Sequence, residues 1–393
     1  MIRVAFWYDR PFEYSGGLNY LKNLIFAISS LDDRRIEPIV FLGRKADSDI
    51  LRLFEPYAKV VQTALLDRKS MPWYFHKVLF KLTGSLFFVD RLMKMQGVRV
   101  ISHADDIYGK SPCKIINWVP DFQYLHLPNL FPGLDSGACT ARLVKTIAHT
   151  DVTVLSSYEA LNDFNKIAPS AFKGKARVLQ FVSQPNEKTY ERTEEKFRDT
   201  IEKKYGFKGK FFFLPNQFWA HKNHAVVFEA VRLLKESGRE VLVICTGNIR
   251  DYRVSNQAYT DSLLEFITVH KLSDNIKVLG LIDYDDVLFM MRNSVAVINP
   301  SLFEGWSTSV EEAKSIGKKI LLSNIKVHLE QNPPQGVYFN PDDPVMLSQL
   351  LIEVWETSAG GPDNQLEINA KQNLKHRTIE YSRNYQNIVL GLL

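Results

Sequence analysis

The sequence has little cysteine, and its three cysteines lie far apart. Cys113, Cys139 and Cys245 form no C-x-x-C pair and have no histidine nearby at metal-ligand spacing. Such spacing argues against a disulfide framework and against a structural zinc site. We therefore expect three buried or free thiols.

The chain also lacks a long hydrophobic run. Its most apolar stretch, residues 78–89, is short and is interrupted by Lys81, whereas a membrane-spanning helix needs about 20 mostly apolar residues. The N-terminus runs directly into a strand pattern, without the apolar and small residues of a signal peptide. We expect a cytoplasmic protein without a transmembrane helix.

No concentrated basic stripe is present, although the charge is uneven. Lys and Arg outnumber Asp and Glu by 49 to 44, and the excess lies in residues 1–190. Nucleic-acid binding would need a basic stripe or a known motif, so we expect none. The excess suits weak attraction to an anionic membrane surface or a phosphate-bearing acceptor. A solvated basic face without a partner is the alternative.

Length and composition indicate a globular protein of two domains. The chain has 393 residues, of which 45% are hydrophobic and 24% charged, and this length is sufficient for two cores. Short apolar runs alternate with helical patterns in both halves, which predicts parallel α/β domains. We place an N-terminal domain at residues 1–183, a charged linker at 184–209 and a C-terminal domain at 210–371.

The most informative stretch is residues 299–317. Val295–Ile298 is a short apolar run typical of a buried parallel strand, and Pro300 ends it. From Thr308 the apolar residues recur at helical spacing up to a glycine. The pattern predicts a helix whose first amides, at Thr308 and Ser309, can hold an anion at the carboxyl edge of the sheet.

Two carboxylates flank this predicted anion site. Glu304 lies in the loop and Glu312 lies one turn inside the helix, so both can face one ligand while the amides between them hold phosphates. One carboxylate can accept hydrogen bonds from sugar hydroxyls and the other from ribose hydroxyls. The arrangement suits a sugar nucleotide.

The segment Phe303-Glu-Gly-Trp-Ser-Thr-Ser-Val-Glu-Glu-Ala313 resembles the E-x7-E donor loop of retaining glycosyltransferase family 4. The resemblance is strong over residues 210–343 and looser before them. It implies an α/β protein of the GT-B fold, in which two Rossmann-like, doubly wound domains face a central cleft. It also implies that the C-terminal helix, residues 372–393, crosses back onto the N-terminal domain.

This resemblance implies an enzyme that moves a sugar from a nucleotide diphosphate to a saccharide or lipid-linked acceptor. The expected setting is bacterial surface polysaccharide assembly, such as O-antigen or capsule. It implies no cofactor and no metal, and we interpret Asp283-Tyr-Asp285, despite its D-x-D spelling, as a helix cap. Two alternatives stay open, a sugar-nucleotide 2-epimerase of the same fold and a non-catalytic partner that binds nucleotide sugars.

The resemblance also assigns roles to particular residues. Glu304 would bind donor sugar hydroxyls, Glu312 the ribose and Lys222 the departing diphosphate. Asp121 would orient the acceptor or act near the reacting carbon, so Glu304, Asp121 and Lys222 form the expected catalytic set. The other donor contacts are expected from Gly16, Gly17, Leu281, Ile282, Trp306, Ser307, Thr308 and Ser309.

The chain departs from the family pattern beside Lys222. Asn216 and Gln217 stand where the family has Gly-Arg, so one of the two usual cations is missing. Either His221 or His224 supplies part of that charge, or the helix amides hold more of the diphosphate.

A second departure lies in the first half, where Pro120 stands in place of the histidine of a His-Asp pair and leaves Asp121 alone. A helix-capping role is the alternative for Asp121. For Gly16-Gly17, which we place in a turn between the first strand and the first helix, the alternative is a plain tight turn without a ligand.

One aromatic and basic stretch, residues 73–94, carries four basic residues against a single acid, Asp90. It could lie on the inner face of a membrane near a lipid-linked acceptor, which would make the protein peripheral. The alternative is a helix that packs on the sheet with its lysines outward.

Overall fold

The computed structural model describes residues 1–8, 15–104, 109, 111–130, 135–185, 188–191, 194–251 and 257–393. It divides into two compact units. The first comprises Met1–Leu125, Gly133–Val182 and Lys375–Leu393, and the second comprises His126–Pro132 and Ser183–Leu374. Part of the predicted linker, residues 186, 187, 192 and 193, lies outside the described residues, as does the segment 9–14 before Gly16-Gly17.

The first unit contains a parallel sheet of seven strands in the order β3-β2-β1-β4-β5-β6-β7. The strands are β1 Ile2–Trp7, β2 Ile36–Leu42, β3 Lys59–Gln62, β4 Val98–Ser102, β5 Lys114–Val119, β6 Val152–Leu155 and β7 Ala176–Val178. The central strands consist mostly of apolar residues, as expected where helices cover both faces of a sheet.

In the described residues, seven α-helices connect or flank these strands. They are α1 Ser15–Ser29, α2 Ser48–Phe54, α3 Met71–Thr83, α4 Phe87–Met95, α5 Gln123–His126, α6 Ser136–Ala148 and α7 Tyr158–Ile167. Gly84, in the left-handed region at φ 68°, ends α3, so the aromatic and basic stretch consists of two helices.

The second unit contains a parallel sheet of six strands in the order β10-β9-β8-β11-β12-β13. Its strands are β8 Phe212–Leu214, β9 Val243–Cys245, β10 Ile276–Val278, β11 Val297–Asn299, β12 Ile320–Ser323 and β13 Gly336–Phe339. Its helices are α8 Lys188–Glu191, α9 Glu194–Tyr205, α10 His224–Glu236, α11 Ala258–Val269, α12 Tyr284–Asn293, α13 Thr308–Ile316, α14 Lys326–Gln331, α15 Pro344–Thr357 and α16 Asn364–Leu390.

Both faces of the second sheet are buried. On β9, Val243 and Cys245 pack in one apolar cluster, whereas Ile244 packs in another. Alternate side chains of a strand point to opposite faces, so these two clusters cover the two sides of the sheet. The predicted α/β fold with two parallel, doubly wound sheets is confirmed, and all three cysteines are free thiols.

Helix α16 contributes to both units, to the second up to Leu374 and to the first from Lys375 onwards. In the first unit its last turns are held by buried aromatic residues. The Tyr385 hydroxyl donates to Ser102 Oγ at 2.7 Å, and the Tyr385 ring lies 5.8 Å from that of Phe6.

The expected glycine turn before α1 is wrong. Gly16 and Gly17 lie inside the first turn of the helix Ser15–Ser29, and a Cβ built on Gly16 would meet no atom within 4 Å. Neither left-handed backbone nor close packing therefore requires glycine at position 16.

Each sheet has one point at which the strand order reverses. In the second sheet this point lies between β8 and β11, and in the first sheet between β1 and β4. The helices that follow such neighbouring strands lie on opposite faces of the sheet, which leaves a crevice outside the carboxyl ends of the strands. A ligand site is therefore expected at the loops that follow β8 and β11.

A comparison of two glycine variants tests how α13 is positioned. Gly317 ends α13 at φ 71°, and a Cβ there would lie 2.5 Å from the backbone oxygen of Leu366. Gly238 has a similar φ, 73°, but no atom within 4 Å of a built Cβ. We expect Gly317→Ala to lower the free energy of unfolding by about 3 kcal/mol and Gly238→Ala by about 1 kcal/mol.

Denaturant unfolding of the two variants beside the wild type gives these values. Equal losses for the two variants would contradict the close packing of α13 against α16.

Candidate functional site

Lys222 and Glu304 form a buried ion pair at the strand reversal of the second sheet. Lys222 ends a short 3-10 helix in the loop after β8, and Glu304 lies in the loop after β11. The Lys222 Nζ donates to Glu304 Oε1 at 2.6 Å, and the two side chains are only 14% and 9% exposed. The sequence predicts a role for both residues at the donor site, but it does not predict that they pair.

The surroundings of Glu304 keep its carboxylate ionised. Burial raises the pKa of Glu304, but the charge of Lys222 and the hydrogen bonds from Lys222 and Ser301 outweigh burial and lower the pKa below its usual value. Ser301 Oγ donates to the same Oε1 atom at 2.7 Å. His328 stays neutral at pH 7, because burial lowers its pKa to about 4.

Two asparagines that sequence analysis did not single out fix the loops around this pair. Asn299 Nδ2 donates to Ser307 Oγ at 2.8 Å and to Ser309 Oγ at 3.0 Å. Asn223 Nδ2 donates to the backbone oxygens of Pro300 and Pro341 at 3.2 and 2.9 Å. Asn223 has φ 54°, a left-handed conformation that asparagine tolerates better than most residues. These amides join three loops at one edge of the sheet.

Gln331, at the end of α14, holds the donor loop from the other side. The Ser307 N–H donates to Gln331 Oε1 at 3.0 Å, and Gln331 Nε2 donates to the Ser307 carbonyl at 3.1 Å. Gln331 Nε2 also donates to Glu311 Oε1 at 3.2 Å. Three hydrogen bonds from one side chain therefore connect the loop before α13 and the first turn of this helix to the end of α14.

Helix α13 begins at Thr308, as predicted, and no side chain caps it. Ser307 occupies the N-cap position without a side-chain capping bond, since its hydroxyl lies 2.8 Å from Asn299 Nδ2. The first backbone N–H groups of a helix have no acceptor within it. The amides of Thr308 and Ser309 thus lie at the positive end of the helix dipole, in the position expected for phosphate binding.

Glu312, one turn further along, differs electrostatically from Glu304. Its side chain is buried, and Tyr284 Oη donates to its Oε1 atom at 2.6 Å. Burial raises the pKa of Glu312 to about 7, against the smaller opposite effect of the Tyr284 hydrogen bond. The two carboxyls of the E-x7-E segment therefore hold different charges near neutral pH.

The remaining donor-loop predictions fall in the same unit. Trp306 is buried in the loop before α13. Leu281 and Ile282 follow Gly280, which has φ 70°, just after β10. Leu281 is 69% exposed, whereas Ile282 packs partly buried against an apolar cluster of the second unit.

The missing arginine is not replaced by His224. This ring is fully buried and stacks on Phe218 with centroids 4.2 Å apart. Burial lowers the pKa of His224 to about 3, so it is neutral at pH 7 and supplies no charge. Gln217, in the arginine position, accepts a hydrogen bond from the backbone N–H of Asn248 at 2.7 Å.

The other predicted site residues belong to the first unit. The Asp121 carboxylate accepts a hydrogen bond from the backbone N–H of Gln123 at 3.0 Å, which is the geometry of the helix-capping alternative. Gly16 and Gly17 contribute first-turn amides of α1. His126 belongs to the second unit, where its ring lies 5.0 Å from that of Phe303.

His103 is a candidate that sequence reasoning missed. It follows β4 at the strand reversal of the first sheet and has φ 58°, a left-handed conformation that is uncommon for residues other than glycine and is found often at functional sites. Its ring nitrogens lie 3.0 Å from Tyr20 Oη and 2.7 Å from Ser102 Oγ. The Tyr20 ring stacks on Trp118 at 4.1 Å. A Ser-His pair directly after a predicted strand was the available signal.

The D-x-D spelling lies at the start of α12. Asp283 occupies the N-cap position of α12, as predicted, but its side chain makes no capping hydrogen bond. It pairs instead with Lys204 at 3.1 Å. Within the described residues, no group of three or more His, Cys, Asp or Glu side chains is arranged to hold a metal ion.

A double-mutant cycle tests the buried pair. We expect Lys222→Met and Glu304→Gln each to destabilise the protein by about 3 kcal/mol, because each leaves its partner buried and unpaired. The double variant should lose less than the two losses combined.

The pair should also weaken in acid. Because folding lowers the pKa of Glu304 below its ordinary 4.5, its contribution is complete above that pH and is lost as the pH falls through the lowered value. Urea unfolding of the wild type and the variants at several pH values between 7 and 3 measures both the coupling and its loss in acid. The exposed pair Arg52–Asp49 is the control, and coupling as small at Lys222–Glu304 as at that pair would contradict the geometry.

Comparison with known proteins agrees with this architecture. Residues 197–377 match the family model described as glycosyl transferases group 1. The O-antigen chain mannosyltransferase RfbU of Salmonella typhimurium is 24% identical over 145 residues, which are 37% of this chain and 38% of that protein. The match thus spans well under half of the length of this relative.

Solved structures align with nearly the whole chain. Anabaena HepE in complex with UDP and glucose has a TM-score of 0.69 at 16% identity and covers 100% of both chains. WaaG, a glycosyltransferase involved in lipopolysaccharide biosynthesis, has a TM-score of 0.57 at 14% identity over 97% of this chain and 95% of that chain. These similarities show the fold, and the chain has the GT-B fold predicted from its sequence.

Proposed function

We propose that this protein is a retaining glycosyltransferase that uses a nucleotide diphosphate sugar. The observation that carries the proposal is the uncapped N-terminus of α13 between two buried carboxyls, with Lys222 held beside it. Helix amides and an ammonium suit a diphosphate, and carboxylates suit the hydroxyls of the two sugars that flank it. The match to group 1 glycosyl transferases supports the same assignment.

Glu304 receives hydroxyls of the donor sugar, and Glu312 receives the ribose hydroxyls. The amides of Thr308 and Ser309 bind the diphosphate, with Trp306 and Ser307 shaping the loop. The backbone of Leu281 and Ile282, which follow β10, contacts the base. In the first unit we assign Gly16 and Gly17 to the donor through their helix amides and Asp121 to the acceptor.

Lys222 changes partners during the reaction in this proposal. In the unliganded protein its ammonium neutralises Glu304. When the bond between the anomeric carbon and the diphosphate breaks, negative charge develops on the phosphate oxygen, and the ammonium stabilises it. The acceptor oxygen bonds to the anomeric carbon on the same face, and its proton passes to the departing phosphate. No cofactor or metal enters this scheme.

The acceptor class is a saccharide or a lipid-linked saccharide, and the setting is surface polysaccharide assembly. Similarity to the O-antigen mannosyltransferase RfbU and to WaaG supports this setting. A thermal-shift panel of nucleotide sugars identifies the donor sugar and base. A ligand that binds only the native state raises the protein's stability, so the true donor should raise the melting temperature most at equal concentration.

A second candidate function is a non-catalytic protein that binds nucleotide sugars. It is favoured by Gln217 in the arginine position, whose carbonyl oxygen is already occupied by Asn248. Incubation of the tightest-binding nucleotide sugar with a broad acceptor panel separates the two. Release of nucleoside diphosphate with a new glycosidic bond of the donor's anomeric configuration supports the transferase, an inverted anomer contradicts retention, and binding without turnover supports the second candidate.

Two substitutions test the assigned roles. Lys222→Ala should lower kcat by about tenfold to a thousandfold, the range for losing one charge contact made in the transition state. Glu312→Ala should raise the KM for the donor. Steady-state kinetics measure both, with Lys235→Ala, at the far end of α10, as the control. Turnover and KM left intact in both variants would refute the assignment.

Donor binding should depend on pH through Glu312. Because its pKa is about 7 in the free protein, it carries a proton for much of the time near neutrality. Ribose hydroxyls donate more strongly to the ionised carboxylate, so binding should release a proton, and affinity should fall as the pH drops from 8 to 6.

The expected fall is severalfold, with a limit of about tenfold per pH unit for one proton. Calorimetry with an intact nucleotide sugar, whose diphosphate does not titrate in this range, measures it. In Glu312→Gln the affinity should be independent of pH. An unchanged wild-type affinity between pH 6 and pH 8 would show that Glu312 does not meet the ribose.

A further inference from the structure

Helix α3 exposes a continuous apolar face. Met71, Tyr74, Phe75, Val78 and Leu82 are between 48% and 79% exposed. Their spacing of three and four residues places all five on one side of the helix. Seven of the large apolar side chains that are exposed in the described part of the chain lie within residues 71–95.

The opposite face of α3 packs against the first unit, so the exposed apolar residues belong to a helix that the fold already holds in place. Ser70 caps its start by accepting from the Trp73 N–H at 3.2 Å, and Gly84 ends it. His76 is buried, and Phe80 packs against the apolar cluster beneath the sheet. The exposed apolar residues are therefore a second apolar face that the fold leaves uncovered.

Helix α4 extends this surface. Phe87 is 51% and Met95 is 71% exposed, and the basic residues Arg91 and Lys94 are exposed beside them. Asp90, which precedes Arg91, is the acid of this helix, and its carboxylate accepts a hydrogen bond from Ser111 at 2.6 Å. The apolar side chains of α4 are thus accompanied by positive charge.

The charge around the two helices is strongly positive. Residues 68–95 contain six Lys and Arg and one Asp, a net charge of +5, which equals the net charge of the whole chain. Lys81 lies in the last turn of α3, next to Leu82 in sequence, and is exposed. Apolar side chains accompanied by cations are the signature of a helix that lies in the headgroup region of an anionic membrane.

We propose that α3 and α4 of the first unit dock on an anionic lipid bilayer. The exposed apolar side chains enter the headgroup boundary, and the basic side chains contact lipid phosphates. Helix α3 has 13 residues, which at 1.5 Å per residue is about 20 Å, too short to span the hydrocarbon core. None of the described helices is long and apolar enough to cross a membrane, so this contact is interfacial.

A second copy of the chain suits this surface less well than lipid does. A symmetric dimer places the same patch on both sides of its interface. Two faces of net charge +5 would then oppose each other, and like charges across an interface are unfavourable. The proposal stands apart from the transferase activity, although docking would bring the protein to a lipid-linked acceptor.

Vesicle sedimentation tests the proposal. The full chain should bind vesicles containing phosphatidylglycerol at least tenfold more tightly than pure phosphatidylcholine vesicles, and 0.5 M salt should weaken binding markedly. The double variant Phe75→Glu, Leu82→Glu should lose at least tenfold in vesicle affinity. Val269→Glu, which changes an equally apolar residue that is 64% exposed on α11, is the matched control and should bind like the wild type.

Three results would overturn the proposal. The first is that the wild type fails to bind anionic vesicles, and the second is that the double variant binds them as tightly as the wild type. The third is a concentration-dependent dimer of the wild type that the double variant does not form, which would assign the face to a second copy of the chain. Thermal shifts with nucleotide sugars on the same samples keep the two proposals separate. If the double variant loses vesicle binding but still binds nucleotide sugars, the change concerns the surface of α3 and not the donor site.

Discussion

The buried ion pair between Lys222 and Glu304 is the interaction on which the candidate site depends. Glu304 is buried and Lys222 is mostly buried at the strand reversal of the second sheet. A buried pair stabilises a protein little, since desolvation offsets much of the attraction. Its retention at this place is better explained by a ligand that exchanges with one partner. A diphosphate can take the ammonium while sugar hydroxyls take the carboxylate.

The polar groups around the pair are arranged before any ligand arrives. Asn299, Asn223 and Gln331 each hold two or more loop groups, so little further ordering is needed when a ligand binds. Such preorganisation strengthens electrostatic stabilisation of a developing charge. The same loops leave the first amides of α13 without a side-chain cap. The same hydrogen bonds of Asn299 therefore hold the loop before α13 and keep the Ser307 hydroxyl from capping the helix.

Local patterns allowed part of this to be predicted from sequence. The start of α13 at Thr308 and its end at Gly317 follow from helical spacing and a left-handed glycine. The pairing of Lys222 with Glu304 could not be predicted, because they are 82 residues apart and only the adjacency of β8 and β11 joins them. The raised pKa of Glu312 depends on burial in the folded chain. Gly16 and Gly17 were predicted to form a turn because consecutive glycines usually mark one. They lie instead in the first turn of α1.

A crystal structure of the protein with a bound nucleotide diphosphate sugar tests the central claim most directly. The account predicts phosphate oxygens within about 3 Å of the Thr308 and Ser309 amides, with Lys222 Nζ moved from Glu304 to the diphosphate. Ribose hydroxyls should lie against Glu312. A diphosphate bound away from the start of α13, or a Lys222–Glu304 pair that stays closed at 2.6 Å with no phosphate contact, would contradict it.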